Sequence, residues 1–125
     1  MATWRELSLD SLQAAQKLLV EGHWRSSVSR SYYAAYCAVS GELVRRGASF
    51  AHGWNNPSHE QVPALVRTGL GLPLNTRRQL NQAIRRLRTA RENADYRPRV
   101  RVDRADALAA VHDAILIVKT LGRSE

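Results

Sequence analysis

Arg91-Glu92-Asn93-Ala94-Asp95-Tyr96-Arg97-Pro98 closes the longest helical pattern in the chain. That pattern starts near Asn75 and carries Leu80, Ala83, Ile84, Leu87, Ala90 and Ala94 at helical spacing. At roughly 100° per residue, Arg91 falls within about 20° of Leu80, Ile84 and Leu87 on the helical wheel. An arginine therefore stands in the middle of the stripe that faces a core or a partner. A guanidinium is always charged and is rarely buried unpaired. Its partner is Asp95 one turn on, a residue of another helix, or a phosphate. Pro98 cannot continue the helix, which leaves Tyr96 at its exit.

Outward from this stretch the chain reads as helices throughout. A first helix runs from Thr3 or Ser8 to Val20, with Leu9, Leu12, Ala15 and Leu19 on one face, and Glu21-Gly22 ends it. A second runs from Trp24 to Arg46 and is apolar over much of its circumference, which predicts a central place in a bundle. Along it, Arg30, Ala34, Cys37 and Gly41 form a line of small residues behind an arginine, where a neighbouring helix can approach closely. Tyr32, Tyr33 and Tyr36 are expected in the core with their hydroxyls satisfied at its edge. Residues 48–57 read as a loop.

Ser58 followed by Gln61 is a capping-box pattern for a short helix carrying Val62, Leu65 and Val66 and ending at Gly69. Pro63 falls early enough in it to be tolerated. Asn75 is the expected N-cap of the fourth helix. Asp103 is the expected cap of the last, whose buried stripe reads as Leu108, Val111, Ile115 and Val118, with His112 on or beside it. No stretch alternates as a strand does, and nothing repeats. The expected fold is all-α: an antiparallel up-and-down four-helix bundle with one additional short helix, in one domain over residues 1–125.

Composition narrows the function classes. At 44% hydrophobic and 24% charged residues, the chain is ordinary for a globular domain. It has no apolar run of about 18 residues and no apolar signal core, so a cytoplasmic protein without a membrane span is expected. Cys37 is the only cysteine, which excludes an internal disulfide. The net charge is +8, and Lys17 and Lys119 are the only lysines, so the positive charge is arginine, the better phosphate fork. Arginine-rich coding and nucleic-acid binding both explain that excess. No HExxH, CxxC or phosphate-loop motif occurs, and no cofactor or metal site is expected, although His52 and His59 share a loop-to-helix segment. Arg97, Arg99 and Arg101 make a basic connector beside the Arg91 seam, and Arg88 lies one turn before it.

Ser29-Arg30-Ser31-Tyr32-Tyr33-Ala34-Ala35-Tyr36, paired with Arg91-Glu92-Asn93-Ala94-Asp95-Tyr96, resembles the HEPN domain, and is most similar to small single-domain prokaryotic HEPN proteins. The likeness spans nearly the whole chain, including the short helix that carries His59 and the ending from Asp103 to Leu121. It implies an up-and-down bundle with an extra short helix and a homodimer in which the ends of the fourth helices form a shared cleft.

Many members are metal-independent ribonucleases whose motif is an arginine, a polar residue, and a histidine four to six residues after the arginine. Arg91 matches the arginine, and Tyr96 stands at the histidine position. Arg46 and His52 also fall within the motif's spacing, but at the end of the second helix, where the family does not place it. Histidine suits acid–base work near neutral pH, whereas tyrosine, with a reference pKa of about 10, donates a proton or hydrogen-bonds a phosphate. The resemblance thus implies Arg91, Asn93 and Tyr96 as catalytic residues. Arg88, Arg97, Arg99 and Arg101 would contact nucleic acid, and Arg30, Tyr33 and Asp95 would form a supporting network.

It also implies a toxin-like component of a toxin–antitoxin or defence system, paired with a minimal nucleotidyltransferase. Some such partners adenylylate a tyrosine beside the motif. The alternative is a non-catalytic module that binds a nucleotide or that partner. A further reading of Arg30, Asp95 and Arg91 is an internal ion-pair network that only holds the fold.

Overall fold

The structure, a computed structural model, describes residues 2–50, 53–54 and 56–122. His52, with its spacing from Arg46, and the tail 123–125 lie outside the described residues. Among the described residues there are four long helices and one short one: α1 (Trp4–Val20), α2 (Trp24–Arg45), α3 (Val62–Thr68), α4 (Leu74–Tyr96) and α5 (Arg104–Gly122). No strand occurs among the described residues, so the expected helical bundle with an added short helix is what the chain forms. α2 is its centre and packs on α1, α4 and α5. α3 lies mainly against α4.

Local chemistry sets the ends. Thr3 caps α1 by accepting from the Glu6 amide at 3.1 Å. Gly47, at φ +76°, closes α2: its amide reaches Val44 O, and the Ala48 amide reaches Leu43 O, the paired bonds of a Schellman turn. Asp103 and Asp106 cap α5 reciprocally, each carboxylate accepting from the other's amide at 3.2 and 2.9 Å. α4 ends at Tyr96, two residues before Pro98.

Two expected caps are displaced. Asn75 lies inside the first turn of α4, which is preceded by Pro73, whose carbonyl accepts from the Arg77 amide at 2.9 Å. Ser58 does accept from the Gln61 amide, at 3.3 Å, but this closes a separate turn, 58–61, and α3 starts only at Val62. Pro63 sits in the first turn of α3, where its missing N–H is harmless.

The core is built around Tyr32, Val39, Leu43, Leu80, Ile84, Leu87 and Ile117, all essentially inaccessible. Two faces differ from those read by apolar size. In α1 the residues turned inward are Ser8, Ser11 and Ala15, while Leu9 is 44% exposed. In α5 the inward line is Ala107, Ala110, Ala114, Ile117 and Leu121, with Val111 also buried. Leu108, Ile115 and Val118 are half-buried flanks, and His112 is exposed rather than a core histidine.

One cause underlies both differences. Small residues let the backbones come so close that larger ones are pushed to the sides. Ser8 Oγ donates to Ala34 O at 2.7 Å, and Ser27 Oγ donates to Ala15 O at 2.8 Å, which ties α1 to α2 backbone to side chain. A Cβ added at Gly41 would stand 2.8 Å from the Trp4 Cβ. Gly41→Val therefore forces α1 off α2 and is expected to lower stability by about 1–3 kcal/mol, read as a fall in the urea midpoint. A midpoint equal to wild type would mean that the α1 contact adjusts freely.

Candidate functional site

Arg91 lies on the α4 stripe as its spacing requires, and its side chain is only 12% exposed. All of its assigned partners come from α2 and from its own helix. Nε donates to Asp95 Oδ2 at 3.1 Å. Nη2 donates to the Tyr96 hydroxyl at 3.0 Å and to the Tyr33 hydroxyl at 3.3 Å. Nη1 makes no hydrogen bond among the described residues. The guanidinium carbon lies 5.1, 5.5 and 5.6 Å from the ring centres of Tyr96, Tyr32 and Tyr33, within cation–π range of each. Burial works against the charge, but Tyr33, Tyr96 and Asp95 outweigh it and hold the Arg91 pKa above the usual arginine value.

The two sequence motifs meet here. Ser29 Oγ donates to Asp95 Oδ2 at 3.1 Å, so one carboxylate oxygen accepts from both α2 and Arg91. Arg30 does not pair with Asp95. Its guanidinium stacks over Tyr33 at 5.3 Å and joins the cluster through that ring. Asn93 is turned elsewhere: its Oδ1 accepts from Arg97 Nη1 at 3.1 Å, and no contact joins its side chain to Arg91 or Tyr96 among the described residues. Tyr96 is 66% exposed at the mouth.

The basic residues spread around this mouth. Arg88 faces Glu92 at 3.3 Å and, with Arg85 and Thr89, lines a polar groove between α4 and the α3 segment. Arg97, Arg99 and Arg101 are all exposed on the connector. Arg97 and Arg101 have only loose acidic neighbours, Glu92 and Asp103, each at 4.0 Å. Arg86 is engaged structurally, donating twice to Asp113 of α5 at 3.0 and 2.8 Å.

The tyrosine hydroxyls of α2 are satisfied at the core edge. Tyr36 donates to Pro57 O at 2.6 Å and accepts from Asn56 Nδ2 at 2.7 Å. Tyr32 is hydrogen-bonded to His59 Nδ1 at 2.6 Å, and burial pushes its hydroxyl pKa well up, despite Arg91. His59 is itself held below the usual histidine range by burial, then by the charges of Arg91 and Arg88.

Arg25 is the residue that sequence reasoning missed. It stands in the first turn of α2, and its Nη1 donates to Asn93 O and Ala94 O at 3.0 Å each and to Arg97 O at 3.3 Å. Its Nη2 donates to Pro98 O at 3.2 Å and to Val100 O. The last carbonyls of any α-helix have no partner within it, and they form the negative end of its dipole. One guanidinium thus gathers the end of α4 and the connector. A signal was present: a cation in the first turn of a helix opposes that helix's own dipole, so it must serve something else.

Fold and site together define a helical-bundle domain with an arginine-centred side-chain cluster where its fourth helix ends. The chain belongs to the HEPN domain family, whose model matches residues 1–124. No curated protein matches it. Among the described residues, no helix is long and apolar enough to cross a membrane.

Proposed function

We propose that this HEPN protein is RNA-directed and acts in the cytoplasm as the toxin-like component of a two-gene system with a minimal nucleotidyltransferase. Its cleft would act on RNA without a metal, through a motif in which Tyr96 replaces histidine. The observation that carries this reading is Arg91. Its Nη2 and Nε are held by Tyr33, Tyr96 and Asp95, and Nη1 is left for a phosphate oxygen. A guanidinium positioned by its surroundings stabilises charge developing on phosphate without reorganising. Arg88, Arg97, Arg99 and Arg101 surround it and supply the sequence-independent attraction to a nucleic-acid backbone. Exposed Tyr96 and Val100 beside the cleft are suited to a homodimer in which two such ends meet.

The second reading is a non-catalytic module that holds a nucleotide or the nucleotidyltransferase partner in the same cleft. It is favoured by Tyr96, a poor base near neutral pH, and by the engagement of Asn93 with Arg97 instead of Arg91.

Incubating the purified protein with labelled single-stranded RNA and tRNA in EDTA separates the readings. Metal-independent cleavage supports the first. Binding without cleavage supports the second. Absence of both cleavage and binding takes RNA out of the account, and the search then turns to a protein partner or a free nucleotide. Tyr96→His is the companion variant. It is expected to create or raise cleavage by about 100-fold if the cleft lacks only a base at that position. No change would show that position 96 is not where proton transfer occurs.

A further inference from the structure

His59 stands in the turn ahead of α3 and is half buried. Three tyrosines of α2 fix its ring. Nδ1 is hydrogen-bonded to the Tyr32 hydroxyl at 2.6 Å. The ring packs on Tyr36 at 4.5 Å between centroids and meets Tyr33 edge-on at 6.2 Å and 89°. Nε2 makes no hydrogen bond among the described residues. Tyr32 and Tyr33 are also rings that Arg91 faces, at 5.5 and 5.6 Å. The positioned imidazole and the positioned guanidinium therefore share two aromatic neighbours, Tyr32 and Tyr33. The other described histidines, His23 at the start of α2 and His112 on α5, are exposed and make no such contact.

We propose that His59 Nε2 is the proton acceptor of this cleft, filling from the α3 turn the role of the histidine missing at position 96, with single-stranded RNA as the substrate. The proposal rests on the RNA-directed reading above. In the step, the ribose 2′-hydroxyl gives its proton to Nε2 while the 2′-oxygen bonds to phosphorus. The bond from phosphorus to the 5′-oxygen breaks, and that oxygen takes a proton from water. His59 returns its own proton to solvent, so nothing is consumed beyond the phosphodiester. Arg91 Nη1 steadies the charge on the phosphoryl oxygens.

The surroundings suit a base. Burial and the charges of Arg91 and Arg88 keep the imidazole neutral at pH 7. Tyr32 stays protonated because burial raises its pKa, so it adds no charge beside the ring. The step uses the tautomer in which Nδ1–H donates to the Tyr32 oxygen and the lone pair lies on Nε2; the 2.6 Å contact accommodates either tautomer. Among the described residues, the titratable and charged groups around His59 are Tyr32, Tyr33 and Tyr36 of α2, Arg88 and Arg91 of α4, and Glu60 of its own turn. A base works unprotonated, so the rate rises with pH through the lowered His59 pKa and is level by neutrality.

The test compares wild type, His59→Asn and Arg88→Gln on a ribo-oligonucleotide and on its 2′-deoxy analogue, in EDTA, with binding measured on the analogue. Expected is wild-type cleavage of the ribo form alone, a loss of roughly 100-fold or more in His59→Asn, and analogue binding within a few-fold of wild type. Cleavage by His59→Asn at the wild-type rate overturns the proposal and leaves the RNA reading standing. So does wild-type binding of RNA with no cleavage. Absence of both binding and cleavage overturns both. If His59→Asn does not fold, the pH profile of Arg88→Gln at saturating RNA decides. Removing one of the two cations beside the ring moves the rising limb to higher pH, and an unmoved limb overturns the proposal.

Discussion

Arg91→Ala is expected to weaken single-stranded RNA binding by about 10–100-fold and to abolish any cleavage, while the bundle stays folded; 100-fold corresponds to roughly 2.7 kcal/mol. The size follows from what the guanidinium does. Its engaged nitrogens hold it against Asp95, Tyr33 and Tyr96, and its remaining nitrogen is the one a phosphate reaches. Removing it leaves Asp95 without its cation. That carboxylate is 27% exposed and keeps the Ser29 hydroxyl as a donor, so it rehydrates in place. The stability cost is therefore about 1–3 kcal/mol, below the 3–5 kcal/mol typical of breaking a fully buried pair.

Arg91→Lys sharpens the result. It keeps the charge but cannot reach Asp95, two hydroxyls and a phosphate at once, so it is expected to behave nearly as alanine does. Binding by fluorescence anisotropy at several salt concentrations checks this, and alanine should lower the salt slope by about one phosphate contact. Unfolding of Arg91→Ala would mean that the arginine mainly holds the core. Undiminished affinity would take the cleft out of RNA binding.

That site was legible because helical periodicity places side chains on faces without knowing what lies opposite. Arg91 fell on the stripe of Leu80, Ile84 and Leu87, and the structure buries it there. Tyr33 and Asp95 were joined to it because two motifs of one pattern come together, and they meet as hydrogen bonds. Arg30 came along by the same logic but stacks on Tyr33 instead of pairing with Asp95. What stayed hidden depends on close approach or on long loops. The inward faces of α1 and α5 are serines and alanines, which a reading by apolar size passes over in favour of Leu9, Leu108 and Ile115. His59 reaches Tyr32 and Tyr36 only after the chain has travelled through the loop beyond α2, and no spacing encodes that return.

Arg25→Ala is the second large effect, and it acts on the cleft from outside. The expected loss of stability is about 2–4 kcal/mol. Hydrogen bonds from a charged donor contribute roughly 1.5–3 kcal/mol each, but two nitrogens share these carbonyls, so the contributions do not add. Against them stands about 0.3–1 kcal/mol regained, because a cation leaves the first turn of α2. The carbonyls win, since α4 ends here: Asn93 O keeps only a long bond from the Arg97 amide, at 3.3 Å, and Arg25 supplies the charged donor to it and to Ala94 O. Lysine restores the charge without the fork and is expected to recover less than half of the loss.

The consequence for function follows from position. Asp95 and Tyr96 lie in the turn that Arg25 secures, so loosening it spreads the partners of Arg91 and lowers RNA affinity, although Arg25 touches neither. Hydrogen exchange should locate the change. The amides of Arg97 and Val100, bonded to Asn93 O and Arg97 O, are expected to exchange faster, while those of α1 speed up only by as much as global stability falls. Unchanged protection at these two amides, with RNA affinity also unchanged, would mean that Pro98 and the α4 packing alone set the exit of the helix.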